Sequence, residues 1–324
     1  AKNSLFTSQL GIQVASQNIA NADTPGYVRE KLLLATGPTQ QIGHLSLGSG
    51  VVSTGVVREV DQFLQQRLWS ASSDLGNGQV QQQTYAQLEA VIGEFSDVDL
   101  SSSLAQFFNS INDVLNQPED PSVRNLAVTR GQALAHQIRH LNGRVQDLRE
   151  TTNDRIREAA AEINRYVQEV SKLNVQIMEV ERGGASGSDA VGLRDKRDAA
   201  LADLARIIDI KVDEQPTGAV NVFVGGDYLV FDGAIQTIKI DTHGDRGLPA
   251  VDLLLANTEA PVPSSSGELA GLIAARDQIL GGFLDNLDSF VGSMMHGFNR
   301  LHASGQGQAG FTELTGEYAA VDRA

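Results

Sequence analysis

Apolar positions along the chain fall into stretches of different period. From Val123 to about Glu181 there is no proline, and only Gly131 and Gly143 weaken the run. Leu134, Ile138, Leu141, Val145 and Leu148 recur in alternating steps of four and three. After two steps of four through Thr152, the rhythm returns at Ile156, Ala159, Ile163, Tyr166, Val170, Leu173, Ile177 and Val180. The spacing predicts one amphipathic helix of heptad character with a stutter at Thr152. At 1.5 Å per residue it would span on the order of 70–85 Å. Bundles and filament subunits often contain such an element; globular enzymes seldom do.

Shorter helical patterns flank it. Leu5, Phe6, Leu10, Ile12, Val14 and Ile19 stand loosely at helical spacing and end at Asn21-Ala22-Asp23-Thr24-Pro25-Gly26. Pro25 stops a helix and holds Thr24 extended, while Gly26 permits a turn, so a sharp corner is expected. Residues 27–60 read as extended and looped chain. Helix then resumes at Asp61 with Phe63, Leu64, Leu68 and Trp69. Gly76-Asn77-Gly78 reads as a break before a second helix from about Val80 to Gly93. Asp99 caps a further helix through Leu104, Phe107, Phe108, Ile111 and Leu115, which stops at Asn116-Gln117-Pro118. Past the flexible Gly183-Gly184 region, Leu193 to Ile207 forms a charged helix with Leu193, Leu201, Leu204 and Ile208 near its inner face.

The period then becomes two. Residues 210–213, 220–224, 228–231, 237–240 and 251–254 read as strands, and Gly225-Gly226-Asp227 supplies a hairpin turn. Pro261, Pro263 and the following serines close this region, and a helical pattern runs from Glu268 to Leu301. The fold class is therefore mainly α with an inserted small β domain (α+β), an elongated long-helix bundle. The helical core takes 1–208 plus 264–324, and the β domain takes 209–263.

Charge narrows the partners. Of 324 residues, 40 are acidic and 25 basic, a net charge of −15. That balance disfavours nucleic acid and anionic membrane surfaces as partners. The absence of cysteine excludes disulfides and thiolate chemistry. No apolar run reaches the roughly 18–20 residues of a membrane span, and the start lacks the layout of a cleaved secretory signal.

Candidate chemistry is sparse. Gly305-Gln306-Gly307-Gln308-Ala309-Gly310 matches the dinucleotide fingerprint formally, but it follows a helix instead of a strand and reads as a turn. His136 and His140 have metal-ligand spacing on the long helix, with no third ligand near in sequence, and read as a solvated face. His296 and His302 read as core-edge or subunit contacts. Arg194-Asp195-Lys196-Arg197-Asp198 reads as a salt-bridged helix surface. Asp97 with Asp99, and Glu179 with Glu181, are carboxylate pairs without a pocket signal. No catalytic residue, metal site or cofactor is expected, and an enzyme built on the β insert, around His243 with Asp241 or Asp245, has too little behind it.

The string Asn18-Ile19-Ala20-Asn21-Ala22-Asp23-Thr24-Pro25-Gly26-Tyr27-Val28-Arg29 resembles the signature of the flagellar rod, hook and hook-associated proteins, where such a segment follows the amino-terminal helix. Further segments, in order along the chain, resemble the hook-associated members of the hook–filament junction. They are 47–51, 57–64, 107–113, Pro118 to Arg124, 193–198, Gly225-Gly226, 267–272 and Asn299-Arg300-Leu301-His302. The resemblance marks Asn18, Asn21, Thr24, Pro25, Gly26 and Tyr27 as the family motif and structural corner. It implies a structural subunit, not an enzyme, that joins hook to filament and assembles by helical polymerisation. Implied partners are copies of itself, the hook protein and the second junction protein, with no small-molecule substrate. An export chaperone would bind mainly through a carboxy-terminal region. Implied too are an extracellular place in the flagellum and export by the flagellar type III secretion apparatus. Family members have a longer first helix and a carboxy-terminal helix that pairs with it, so a truncated core is expected. The alternative from periodicity alone is a coiled-coil adaptor dimerising through residues 130–181.

Overall fold

A computed structural model describes residues 2–24, 26–42, 45–48, 50–93, 99–181 and 190–305. Helices α1 (Lys2–Ala20), α2 (Gln62–Ile92), α3 (Leu100–Asn116), α4 (Pro121–Glu181), α5 (Val191–Ile207), α6 (Gly267–Ala274) and α7 (Gly281–Ser304) carry most of the chain. A π-helical segment, Ala275–Leu280, joins α6 to α7. The architecture is mainly α with small antiparallel sheets.

The chain divides into two compact units. The first comprises residues 1–80, 155–245 and 249–272; the second comprises 81–154, 246–248 and 273–324.

In the first unit, strand β1 (Glu30–Thr36) pairs antiparallel with β4 (Val51–Arg58), with a bulge at Leu33/Leu34. A second hairpin, β2 (Thr39–Ile42) with β3 (Leu45–Gly48), lies between them in sequence. The β region holds a four-stranded sheet in the order β5 (Lys211–Glu214), β6 (Val220–Val224), β7 (Asp227–Phe231), β8 (Ala234–Ile235). Beside it, β9 (Ile238–Asp245) and β10 (Leu248–Leu255) form a separate ribbon. The turn between β6 and β7 has Gly225 at φ 56° and Gly226 at φ 108°, the left-handed pair that a tight hairpin requires. Most of β9 is exposed, so it lacks the alternation that marks a half-buried strand, and only its first residues are legible from pattern. The core joins Ile163, Val167, Val170 and Ile177 of α4 with Leu201 and Leu204 of α5 and Val222 and Leu229 of the sheet, all buried.

Gly76-Asn77-Gly78 does not break the helix: α2 runs through it for 31 residues. Gly76, though not Gly78, is there for space. A Cβ on Gly76 would stand 2.7 Å from the Arg206 carbonyl oxygen, and one on Gly271 would stand 2.9 Å from the Asn77 carbonyl oxygen. One on Gly267 would collide with the Ile207 carbonyl. Here α2, the end of α5 and α6 meet backbone to backbone, and that packing offsets the low helix propensity of glycine.

The second unit contains the end of α2, α3, the first half of α4 and most of the α6–α7 run. Asp99 caps α3 by accepting from the Ser102 N–H, and α3 ends at Gln117 ahead of Pro118. α4 begins two residues earlier than the apolar pattern shows, at Pro121, a residue suited to a first helical position. Asp120 accepts from the Ser122 N–H there at 2.7 Å. α4 is 61 residues long. At the stutter, Arg149, Thr152 and Asn153 are buried, so a polar layer replaces the apolar stripe. Arg149 Nε donates to the Arg276 carbonyl at 3.2 Å and Arg276 to Asn153 Oδ1 at 3.3 Å. At the β9–β10 turn, Arg246 lies bidentate on Asp285 of α7, both bonds at 2.8 Å. Val180, part of the expected stripe, is 37% exposed.

Candidate functional site

The six corner residues were singled out from the sequence, and the structure brings Asn18, Asn21, Thr24 and Tyr27 into one hydrogen-bonded turn. Pro25 lies outside the described residues. Past the end of α1 the chain is held by Thr24 N–H to the Asn21 carbonyl at 2.9 Å and Tyr27 N–H to the Thr24 carbonyl at 3.1 Å. Asn21 Nδ2 donates back to the Gln17 carbonyl at 3.0 Å, and Thr24 Oγ1 to Asn21 Oδ1 at 3.4 Å. Gly26 sits at φ 80°, which its missing side chain permits.

Asn18 closes the corner. Its Oδ1 accepts from the Tyr27 hydroxyl at 2.9 Å and from the Glu30 N–H at 2.8 Å, while Nδ2 donates to the Glu30 carbonyl at 2.9 Å. The last turns of α1 are thereby fixed to the first residue of β1. The same device recurs twice in this unit, and sequence reasoning missed both cases. Asn164 of α4 accepts from the Ile238 N–H at 2.7 Å and donates to its carbonyl at 2.8 Å. Asn174, also on α4, accepts from the Val220 N–H at 3.1 Å and donates to its carbonyl at 2.8 Å. Glu30, Val220 and Ile238 each open a strand. A signal for Asn174 was present, because it stands in the stripe Ile163, Val167, Val170, Ile177 where an apolar residue belongs.

The charged run 194–198 is salt-bridged, but it is not a solvated surface. Arg58, 7% exposed, contacts Asp195 at 2.9 Å and Asp198 at 2.5 Å. Arg197, 2% exposed, donates to the Gly218 carbonyl at 2.6 Å and reaches Glu214 at 3.4 Å. Arg194 binds Glu181 at 2.8 Å and also Glu214. Apart from the exposed Lys196, the run is drawn toward Glu181 of α4 and the residues of the neighbouring strands, and each guanidinium takes carboxylate or carbonyl partners there. Burial draws the Arg197 guanidinium below its usual range. Burial also raises the Asp195 carboxyl, with Arg58 opposing and Asp198 reinforcing.

Apolar side chains stand open beside the corner. On α1, Leu5, Phe6, Ile12 and Ile19 are 62–78% exposed. A groove of about 600 Å³ runs between Tyr27 and Val28 of the corner, Leu64, Leu68 and Trp69 of α2, and Ala199 and Ala202 of α5. Such surfaces suit contacts with another protein chain.

The other candidates stay apart. His136, His140, His296 and His302 are exposed, and the His302 ring stacks on Phe298 at 6.1 Å. His243 meets Asp252 at 3.2 Å on the open face of the β9–β10 ribbon. Among the described residues no group of three or more His, Cys, Asp or Glu could hold a metal ion. No described helix is long and apolar enough to cross a membrane. Asp97 and residues 306–310 of the glycine string lie outside the described residues.

A long-helix core with small appended sheets, a motif-built corner and an open apolar helix face defines a structural assembly protein. Residues 85–316 match the family model of the flagellar hook-associated protein FlgK helical domain, and the chain belongs to that family. It is 27% identical over 94% of its length to flagellar hook-associated protein 1 of Salmonella typhimurium. It is 24% identical over 98% of its length to flagellar hook-associated protein 1 of Bacillus subtilis, covering 69% of that protein. The chain spans only about half the length, 56%, of the Salmonella relative. Its fold resembles the solved structure of the flagellar hook junction protein FlgK from Burkholderia pseudomallei. The TM-score is 0.55 at 23% identity, over 66% of this chain and 39% of that one.

Proposed function

We propose that this chain is the core of a structural subunit of the bacterial flagellum that joins hook to filament. The family match over residues 85–316 carries the reading. The geometry adds a helix, α1, that offers large apolar side chains outward and is fixed to the body of its unit by the Asn18 corner. A contact between unlike patches whose rotation does not close repeats into an open helical assembly. The subunit assembles with copies of itself, the hook protein and the second junction protein. It reaches the cell exterior through the flagellar type III secretion apparatus, attended by a chaperone that engages the carboxy-terminal region of family members. The corner residues Asn18 to Tyr27 redirect the chain from α1 into the body, and the β domain at 209–263 is carried on the helical core of 1–208 plus 264–324. The reading assigns no reaction, cofactor or small-molecule substrate.

Deleting the gene in a motile bacterium and examining the cells by electron microscopy tests this. Hooks without filaments, restored by the intact gene, are expected. Hooks that still bear normal filaments overturn the assignment.

A further inference from the structure

We propose that the seat of the β1–β4 pair on α5 is a proton-controlled latch, closed in acid and loosened as pH rises, built from Glu30 and Asp195 on the walls of one groove. The inference goes beyond the assembly reading, and its test needs no flagellum.

Tyr27, Glu30 and Asp195 line a groove of about 380 Å³ together with Gln13 and Gln17 of α1. Three carboxylates, those of Glu30, Asp195 and Asp198, crowd one guanidinium, Arg58, which is already committed to Asp195 and Asp198. Neighbouring cations are engaged elsewhere. Arg194 is held by Glu181 and Glu214, and Arg197 is turned toward Glu214 and Gly218, 3.9 Å from Asp198 at its closest. Lys31 and Lys196 are exposed, Arg29 lines the groove on the other side of the corner, and Lys2 is the only charged residue of α1. The groove therefore holds excess negative charge when every carboxyl is ionised, and a proton relieves it.

Electrostatics support the geometry. Burial, then Asp195, raises the Glu30 carboxyl against the pull of Arg58. Burial, then Glu30 and Asp195, raises the Tyr27 phenol. An acid whose folded pKa lies above its unfolded value stabilises the fold fully below the unfolded value. It loses that contribution as pH rises through the folded value. The ordinary values are 4.5 for Glu30 and 3.8 for Asp195, so the latch is closed at or below about pH 4 and opens above it.

Amide hydrogen exchange of the whole chain, corrected for intrinsic rate, is followed from pH 4 to 7 at residues 27–36. The Glu30 amide, bonded to Asn18, is the reporter. Protection in the wild type is expected to fall about three- to tenfold across this range, because both carboxyls are raised and the protonated form favours the closed seat. Glu30→Gln, which keeps the shape and removes a charge, should hold protection near its acid level throughout, while Glu59→Gln should leave the wild-type profile. A Glu30→Gln profile that follows the wild type overturns the latch. Carbon-detected titration of the wild-type Glu30 and Asp195 carboxyls reads the same point without a variant. Midpoints above the ordinary values support the latch, and midpoints at or below them overturn it.

Discussion

Asn18 grips Glu30 by both edges of its backbone, taking the N–H at 2.8 Å and giving to the carbonyl at 2.9 Å. A carboxamide is the smallest side chain that presents a donor and an acceptor side by side, as a neighbouring strand would. Ala at this position removes both bonds and Asp removes the donor. Either variant should speed exchange of the amides of β1, and Ala should cost about 1–3 kcal/mol of stability in denaturant titration. A β1 protected as in the wild type would show that the corner is held by other means.

The same grip by Asn174 is buried, with only 4% of the residue exposed. Asn174→Ala leaves the Val220 N–H and carbonyl short of partners where water does not reach. The loss should fall toward the upper part of about 1–3 kcal/mol. Asn174→Leu, which suits the apolar stripe, should not restore stability, because the orphaned backbone groups remain. Calorimetric melting of the three proteins decides it.

Gly76 and Gly78 are two residues apart on one helix and should answer oppositely to alanine. At Gly78 a Cβ meets nothing within 4 Å, so Gly78→Ala should stabilise by about 0.5–1 kcal/mol through helix propensity. At Gly76 the Cβ stands 2.7 Å from the Arg206 carbonyl, so Gly76→Ala should lower the melting temperature despite the same propensity gain. Equal shifts for the pair would remove the close-contact explanation.

Asp99 gives a pH dependence of opposite sign to the latch. The Ser102 backbone N–H lowers its carboxyl below the ordinary 3.8. A depressed acid stabilises the fold above its unfolded value, and that contribution disappears as pH falls through the folded one. Amides in the first turn of α3 should therefore exchange faster below about pH 4 in the wild type. Asp99→Asn, a neutral cap, should flatten the response.

Periodicity exposed most of the helices and strands because a buried face imposes its spacing on the sequence. It showed α4 nearly to its ends, the β6–β7 hairpin through its paired glycines, and the corner through a motif. It failed where a residue serves a neighbour distant in sequence. Gly76-Asn77-Gly78 reads as a break from local propensity, yet Gly76 admits the Arg206 carbonyl, and Gly271 admits Asn77, each more than 100 positions away. Arg197 looks solvated until Gly218 and Glu214 are placed beside it. Asn164 and Asn174 look like polar interruptions of a helix, and only the strands reveal what they hold. The π-helical segment at Ala275–Leu280 has no local signature that periodicity could detect.

Where α2 meets α5 and α6, backbone carbonyls stand in the space that side chains on Gly76, Gly267 and Gly271 would fill. Side chains yield under load by changing rotamer, whereas carbonyls seated against glycine have no such play. A joint made this way leaves the helices little room to slip past one another, and it needs no covalent cross-link.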